Sequence, residues 1–266
     1  MKHIIKFGIV LFFVLLIPMG LYFSNFHGGL SFNHTTWGEF GSFYGGVLGP
    51  AISLLAIIGL LWNLYVTTKQ FRLQSENSIF FNLLTLHNNK VQSVEFENKE
   101  DGKITGFSAF KEYVEKFNLK YDNSIREDKG IIIKNDHALN KNPDLETKLY
   151  IIKEINKKFY HDFGHIFGHY FRNIYYILKF IDKTELSETN SKIFRAQLSR
   201  YELTALYYNA ISNLPGAKYI ELLIKYDILN GIYSSDICYS PDKIEMKDVL
   251  DYILKEKRGC GKWDQK

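Results

Sequence analysis

The 266-residue sequence predicts an all-α protein, in which an N-terminal two-helix transmembrane hairpin precedes a predominantly α-helical cytoplasmic domain. Three observations predict it. Two apolar runs of bilayer-spanning length fall within the first 66 residues. No Lys or Arg lies between Lys6 and Lys69. Beyond Lys69 apolar residues recur mostly at helical spacing rather than alternating as in strands.

The first run, Ile4 to Phe23, is long enough at about 1.5 Å per residue to cross a hydrocarbon core of roughly 30 Å if Lys6 reaches back to the interface. A signal peptide starts similarly, but no small-x-small cleavage site follows and a second apolar run does. That second run extends from Phe43 to Val66, with Trp62 and Tyr65 placed as interface aromatics. Lys2 and Lys6 precede the first span and Lys69 and Arg72 follow the second, so the positive-inside rule puts both termini in the cytoplasm and SNFHGGLSFNHTTWGE outside. The predicted division is residues 1–68 for the hairpin and 69–266 for the cytoplasmic domain.

Gly41, Gly45, Gly49 and Ser53 recur every four residues on one face of the second span. Small residues at this spacing let helix backbones approach in lipid, where no hydrophobic effect draws helices together. The ridge can pack against the first span of its own chain or against other chains, and the latter arrangement can build a pore. Pro50 is a site where the span can flex. Glu39, the one acid of the hairpin, lies beside Trp37 and reads as an interfacial residue rather than part of a conduction path.

After the spans, QFRLQSENSIFFNLLTLHNNKVQSVEF continues as a helical stalk that gathers Phe80, Phe81, Leu84 and His87. A short helix follows over Phe107 to Phe117, then a polar, weakly ordered insert near 118–142 in which only KGIIIK suggests a strand. Asp144 can cap a long helix ending near Asp182, with Gly164 or Gly168 as possible breaks. Further helices are predicted at Ser191 to Ser212, Ala217 to Leu229 and Lys247 to Lys255.

The long helix contains HDFGHIFGHYFR, close to the H-E-x-x-H pattern of zinc peptidases. His161 and His165, at i and i+4, are weak metal-ligand candidates. Asp162 reaches less far than the Glu that usually acts as base, and no third ligand stands out. The alternative is a polar stripe of His165, His169 and Arg172 that meets Arg195 and Glu202 of the next helix, with Glu202 pairing with Arg172 or a histidine. Phe163, Phe167, Tyr170, Ile174, Ile177 and Ile181 form the apolar stripe.

No R-x4-6-H ribonuclease motif, phosphate-binding loop, dinucleotide fingerprint or nucleophile elbow is present. The sequence therefore implies no cofactor and points away from an enzyme. A net charge of +4 is too small to argue for sequence-specific nucleic-acid binding, and two cysteines, Cys238 and Cys260, make no disulfide framework.

Four stretches carry a family resemblance: WGEFGSFYGGVLGPAISLLAIIGLL, FFNLL with its following LH, FGHYFRNIYYILKFID, and RAQLSRYELTALYYNAI. In this order, from Trp37 to Ala210, they resemble the bacterial phage abortive infection proteins related to abortive infection protein C. The resemblance implies a two-span anti-phage effector in the inner membrane, in some cases beside a sensor such as a retron reverse transcriptase with its RNA, and the glycine ridge adds the expectation of a homo-oligomer. The expected activity is permeabilisation or depolarisation of the membrane on infection. A tethered sensor, a partner-binding module and a metal-dependent enzyme are the alternatives.

Overall fold

The computed structural model describes residues 16–26, 29, 31–98, 102–135, 145–212, 214–241 and 243–259. The chain divides into two compact units, Met1–Gln74 and Ser75–Lys266. Its described elements are helical apart from one short β-hairpin.

Helix α1 is seen over residues 16–25, and the remainder of the first predicted span, Ile4 to Leu15, lies outside the described residues. Helix α2 runs over His34–Ser93 and continues through Pro50. It starts nine residues before the predicted second span, within the stretch read as an outer loop, because Asn33 supplies an N-cap: its Oδ1 accepts from the Thr35 amide at 3.1 Å. The Trp37 indole then donates to the Ser31 carbonyl at 2.8 Å. Tyr22 of α1 meets Phe40 and Phe43 of α2 at centroid distances of 4.8 and 5.5 Å. Among the described residues α2 is the one helix long and apolar enough to cross a membrane, with a window of mean hydropathy 2.0.

In the second unit, strands β1 (Glu95–Asn98) and β2 (Gly102–Thr105) pair antiparallel, with Phe96 opposite Ile104. The hairpin was not expected from the sequence. It is closed by Gly106, whose amide donates to the Val94 carbonyl at 3.0 Å. At φ +64 a side chain would be strained there, and its Cβ would come within 3.0 Å of the Gln92 side chain.

Helix α3, Phe107–Asn135, corrects the reading of 118–142 as a weakly ordered insert: residues 118–135 are helical, KGIIIK included, and 136–142 lie outside the described residues. Burial accounts for the first turns of this extension. Tyr113, Val114, Phe117 and Tyr121 extend one apolar stripe past the point where the polar residues begin. Helix α4, Leu145–Ile181, is unbroken, and the predicted cap Asp144 lies outside the described residues. Gly164 and Gly168 do not interrupt it. They make room for Tyr160, one and two turns earlier, whose ring atoms lie 3.2–3.3 Å from where a Cβ at Gly164 would sit.

The predicted helix over Ser191 to Ser212 is two helices, α5 (Ser187–Gln197) and α6 (Arg200–Ile211). The break is written locally as S-R-Y-E, a capping box. The Glu202 amide donates to the Ser199 hydroxyl at 3.4 Å and the Ser199 amide to the Glu202 carboxylate at 2.9 Å. Every residue of α6 from Glu202 to Ile211 is buried, so this helix forms the centre of the unit. Phe117 of α3 stacks on Tyr208 of α6 at 4.1 Å. Helices α7 (Ala217–Lys225) and α8 (Lys243–Gly259) complete the unit. Arg258 of α8 donates to Glu221 of α7 at 2.5 Å, and Lys153 of α4 to Glu256 of α8 at 2.8 Å.

Candidate functional site

The residues singled out in the sequence fall in two places. Glu39, Gly41, Gly45, Gly49, Pro50 and Ser53 belong to α2 in the first unit, where almost the whole apolar stretch is exposed. A Cβ added at Gly41, Gly45 or Gly49 would meet nothing within 4 Å. Among the described residues the ridge therefore has no neighbour against its face. Ser53 turns its hydroxyl back to the Gly49 carbonyl at 2.8 Å, which satisfies it within the helix.

The second group does not form the expected seam. His165, His169 and Arg172 are exposed on α4, whereas the apolar stripe beside them is turned inward: Phe167, Tyr170, Ile174, Ile177 and Ile181 are buried. Arg195 is half-buried and pairs with Asp227, donating to its carbonyl at 3.0 Å and its carboxylate at 3.3 Å. His161 is exposed beside Asp162, with Nδ1 3.2 Å from Oδ1. Among the described residues no group of three His, Cys, Asp or Glu side chains is placed to hold a metal ion.

Glu202 is the exception to this dispersal, and its partners differ from Arg172. Fully buried, it accepts from the Tyr170 hydroxyl at 2.9 Å and from the Ser199 hydroxyl at 2.6 Å, and Nε2 of His87 lies 3.6 Å away. The histidine beside it is neither His165 nor His169 but His87 of α2, some 115 residues earlier in the chain than Glu202. The imidazole packs between Tyr170 and Phe194 at centroid distances of 5.6 and 5.4 Å. Thus α2, α4, α5 and α6 converge on one buried carboxylate.

Burial raises the pKa of Glu202, but the approach of His87 and the hydrogen bonds from Ser199 more than offset this, leaving the group below its ordinary value. Burial, reinforced by the Glu202 charge, holds the Tyr170 phenol well above its ordinary value, so it stays protonated and donates. The His87 ring nitrogens themselves complete no hydrogen bond. An arrangement of this kind orients helices. It offers no open face to a substrate, since each of the three side chains is at most 1% exposed.

A second polar cluster ties α6 to the C-terminal segment. Arg200 binds the Asp236 carboxylate through Nε and Nη2, and the Asp236 carbonyl accepts from Asn118 at 2.9 Å. The Tyr208 hydroxyl donates to Asn118 at 2.6 Å and accepts from the Cys238 amide at 2.8 Å. Burial pushes the Cys238 thiol up to about 12, which removes it as a nucleophile at neutral pH. Cys260 lies outside the described residues.

The sequence contained a signal for Glu202 as a cap residue, S-x-x-E, but none for His87 as its neighbour. The latter needs the path of the chain from α2 to α6.

The family described as Putative phage abortive infection protein matches residues 163–237, under a third of the chain. The matched segment contains Tyr170 and Glu202, together with α5, α6 and α7, and excludes His87 and the glycine ridge. No curated protein and no solved structure matches the chain.

Proposed function

We propose that this chain, which carries the segment characteristic of the phage abortive infection family, acts in bacterial anti-phage defence as a membrane effector. In this reading both predicted spans enter the inner membrane with both termini cytoplasmic, and chains associate along Gly41, Gly45, Gly49 and Ser53. Infection then triggers permeabilisation or depolarisation. The observation that carries the reading is the first unit's apolar stretch of α2, whose glycine face meets no neighbour among the described residues. A sensor partner, such as a reverse transcriptase with its RNA, would supply the trigger.

Membrane potential and dye uptake measured after triggering test the proposal. Depolarisation should precede loss of viability, and arrested cells that keep their potential would remove it. Gly45→Leu should abolish toxicity at unchanged expression, because a bulky side chain on the ridge separates helices that pack through it.

A further inference from the structure

We propose that the cleft between α4 and the start of α7 is a binding site for a phosphorylated, ring-bearing small molecule of nucleotide size. The inference stands independently of the membrane reading. The cleft encloses about 510 Å³, within the range of roughly 300–1,000 Å³ usual for small-ligand sites.

One side of the cleft is cationic. Arg172 and Lys179 of α4 and Lys218 of α7 line it, and no Asp or Glu does among the described residues. Arg172, the polar-stripe residue that does not meet Glu202, is exposed and has no ion-pair partner among the described residues. Lys179 lies over the Tyr175 ring at 5.8 Å. Lys218 has only long contacts, 3.5 Å to Asp182 and 3.7 Å to Glu221, with half its side chain exposed. A guanidinium and two ammonium groups lining one cleft suit phosphate, which accepts several charge-assisted hydrogen bonds at once.

The N-terminus of α7 adds to the cationic side. Leu214, Pro215 and Gly216 lead into the helix along the cleft, and the N-cap Gly216 supplies no side-chain bond to the first-turn amides. Amides left free at a helix start favour an anion. The independent sign of a ligand is Tyr219. It is 4% exposed and lines the cleft, and its hydroxyl completes no hydrogen bond. Asn209, also on the lining, is the side chain that interacts with the Tyr219 hydroxyl, at a geometry short of a full hydrogen bond. A buried phenol without a partner is costly unless something else accepts its proton.

The same lining is also aromatic. Tyr160, laid down over Gly164 and Gly168, joins Phe171 and Tyr175. Flat rings beside three cations match a ligand that has both a stacking face and phosphate, as a nucleotide does. The cleft's size favours a mononucleotide over a nucleic-acid strand, which needs a groove several nucleotides long.

The test uses the full-length chain in detergent or nanodiscs and calorimetric titration with AMP, ATP, GTP, adenosine and inorganic phosphate. At least one nucleotide should bind at one site per chain with Kd below about 1 mM, while adenosine and phosphate alone bind at least about tenfold more weakly. Arg172→Ala should weaken the nucleotide about tenfold or more, and Lys179→Ala provides the same reading if the first variant melts early. Lys247→Ala, on exposed α8, should bind as the parent does. The proposal is overturned if no nucleotide binds by about 1 mM, if phosphate alone binds as tightly, or if neither cation variant changes the affinity. A single-stranded oligonucleotide that binds more tightly than every mononucleotide would also overturn it.

Discussion

Helix α2 is one helix, yet its two halves face different problems. In the first unit Leu54, Leu60, Leu61 and Trp62 are 59–70% exposed, whereas in the second unit Phe80, His87 and Val91 are 1% exposed. Both halves are rich in apolar residues. The earlier half leaves most of its apolar side chains exposed, Leu48 apart, whereas in the later half Phe80, Leu84 and Val91 form a face that the second unit covers while Ile79, Phe81 and Leu86 stay exposed. Polar groups follow the same division. The small residues of the ridge leave open space, while His87 is enclosed by aromatic rings and a carboxylate. Uniform hydrophobicity therefore reads as a solvent preference, and periodic hydrophobicity as a packing face.

Four substitutions would break or sharpen this contrast, in descending order of effect. Glu202→Ala leaves the Tyr170 phenol and the Ser199 amide without their acceptor in a closed interior. It should cost about 3 to 5 kcal/mol in denaturant unfolding of the second unit. Leu60→Arg places a charge in the apolar half and should disfavour insertion by about 2.5 to 3.5 kcal/mol, read as protein released from membranes by alkaline extraction. Unchanged membrane retention would mean that this half is not in lipid. Gly164→Ala gains helix propensity but asks the exposed Tyr160 ring to give by a few tenths of an ångström. The two should largely offset, so stability should change by less than about 1 kcal/mol with the helix intact, measured by thermal melting. Arg172→Ala should leave stability within about 0.5 kcal/mol, because the side chain is exposed and unpaired. A large loss there would restore the Arg172 to Glu202 seam.

Acid stability sharpens the contrast in a different way. The folded pKa of Glu202 lies below its unfolded value of 4.5, so its contribution is complete above that pH and is lost as pH falls through the lower folded value. Asp182 acts in the same direction. The hydrogen bond from Lys225 at 2.5 Å is the main cause, with further help from Tyr226 and Lys218, and it keeps the carboxyl below 3.8. Unfolding of the second unit should therefore become easier below about pH 4.5, and Glu202→Gln should flatten that limb.

Much of this was legible in sequence, for reasons that particular elements show. Helical spacing gave the buried stripe of α4 from Phe167 to Ile181 because amphipathic periodicity is a local property. The capping box at Ser199 was equally local, although the helix was read through it. The extent of α3 was misread because polar residues outnumber apolar ones beyond Asn118, and composition hid a stripe that tertiary burial sustains. The polar stripe of α4 is legible as a stripe, but nothing in one helix says whether a second helix covers it, and His165, His169 and Arg172 are exposed.

The sequence by itself determined the apolar character of α2 and the helical class of the remainder, and it carries the S-x-x-E pattern that caps α6. These depend on neighbouring residues, through hydropathy, 3.6-residue periodicity and short-range hydrogen bonds. Only the tertiary structure decided that His87 and Tyr170 meet at Glu202, and that Arg172 and Tyr219 share a cleft. Such meetings depend on how helices far apart in the chain cross one another, and that is settled by the packing of whole faces.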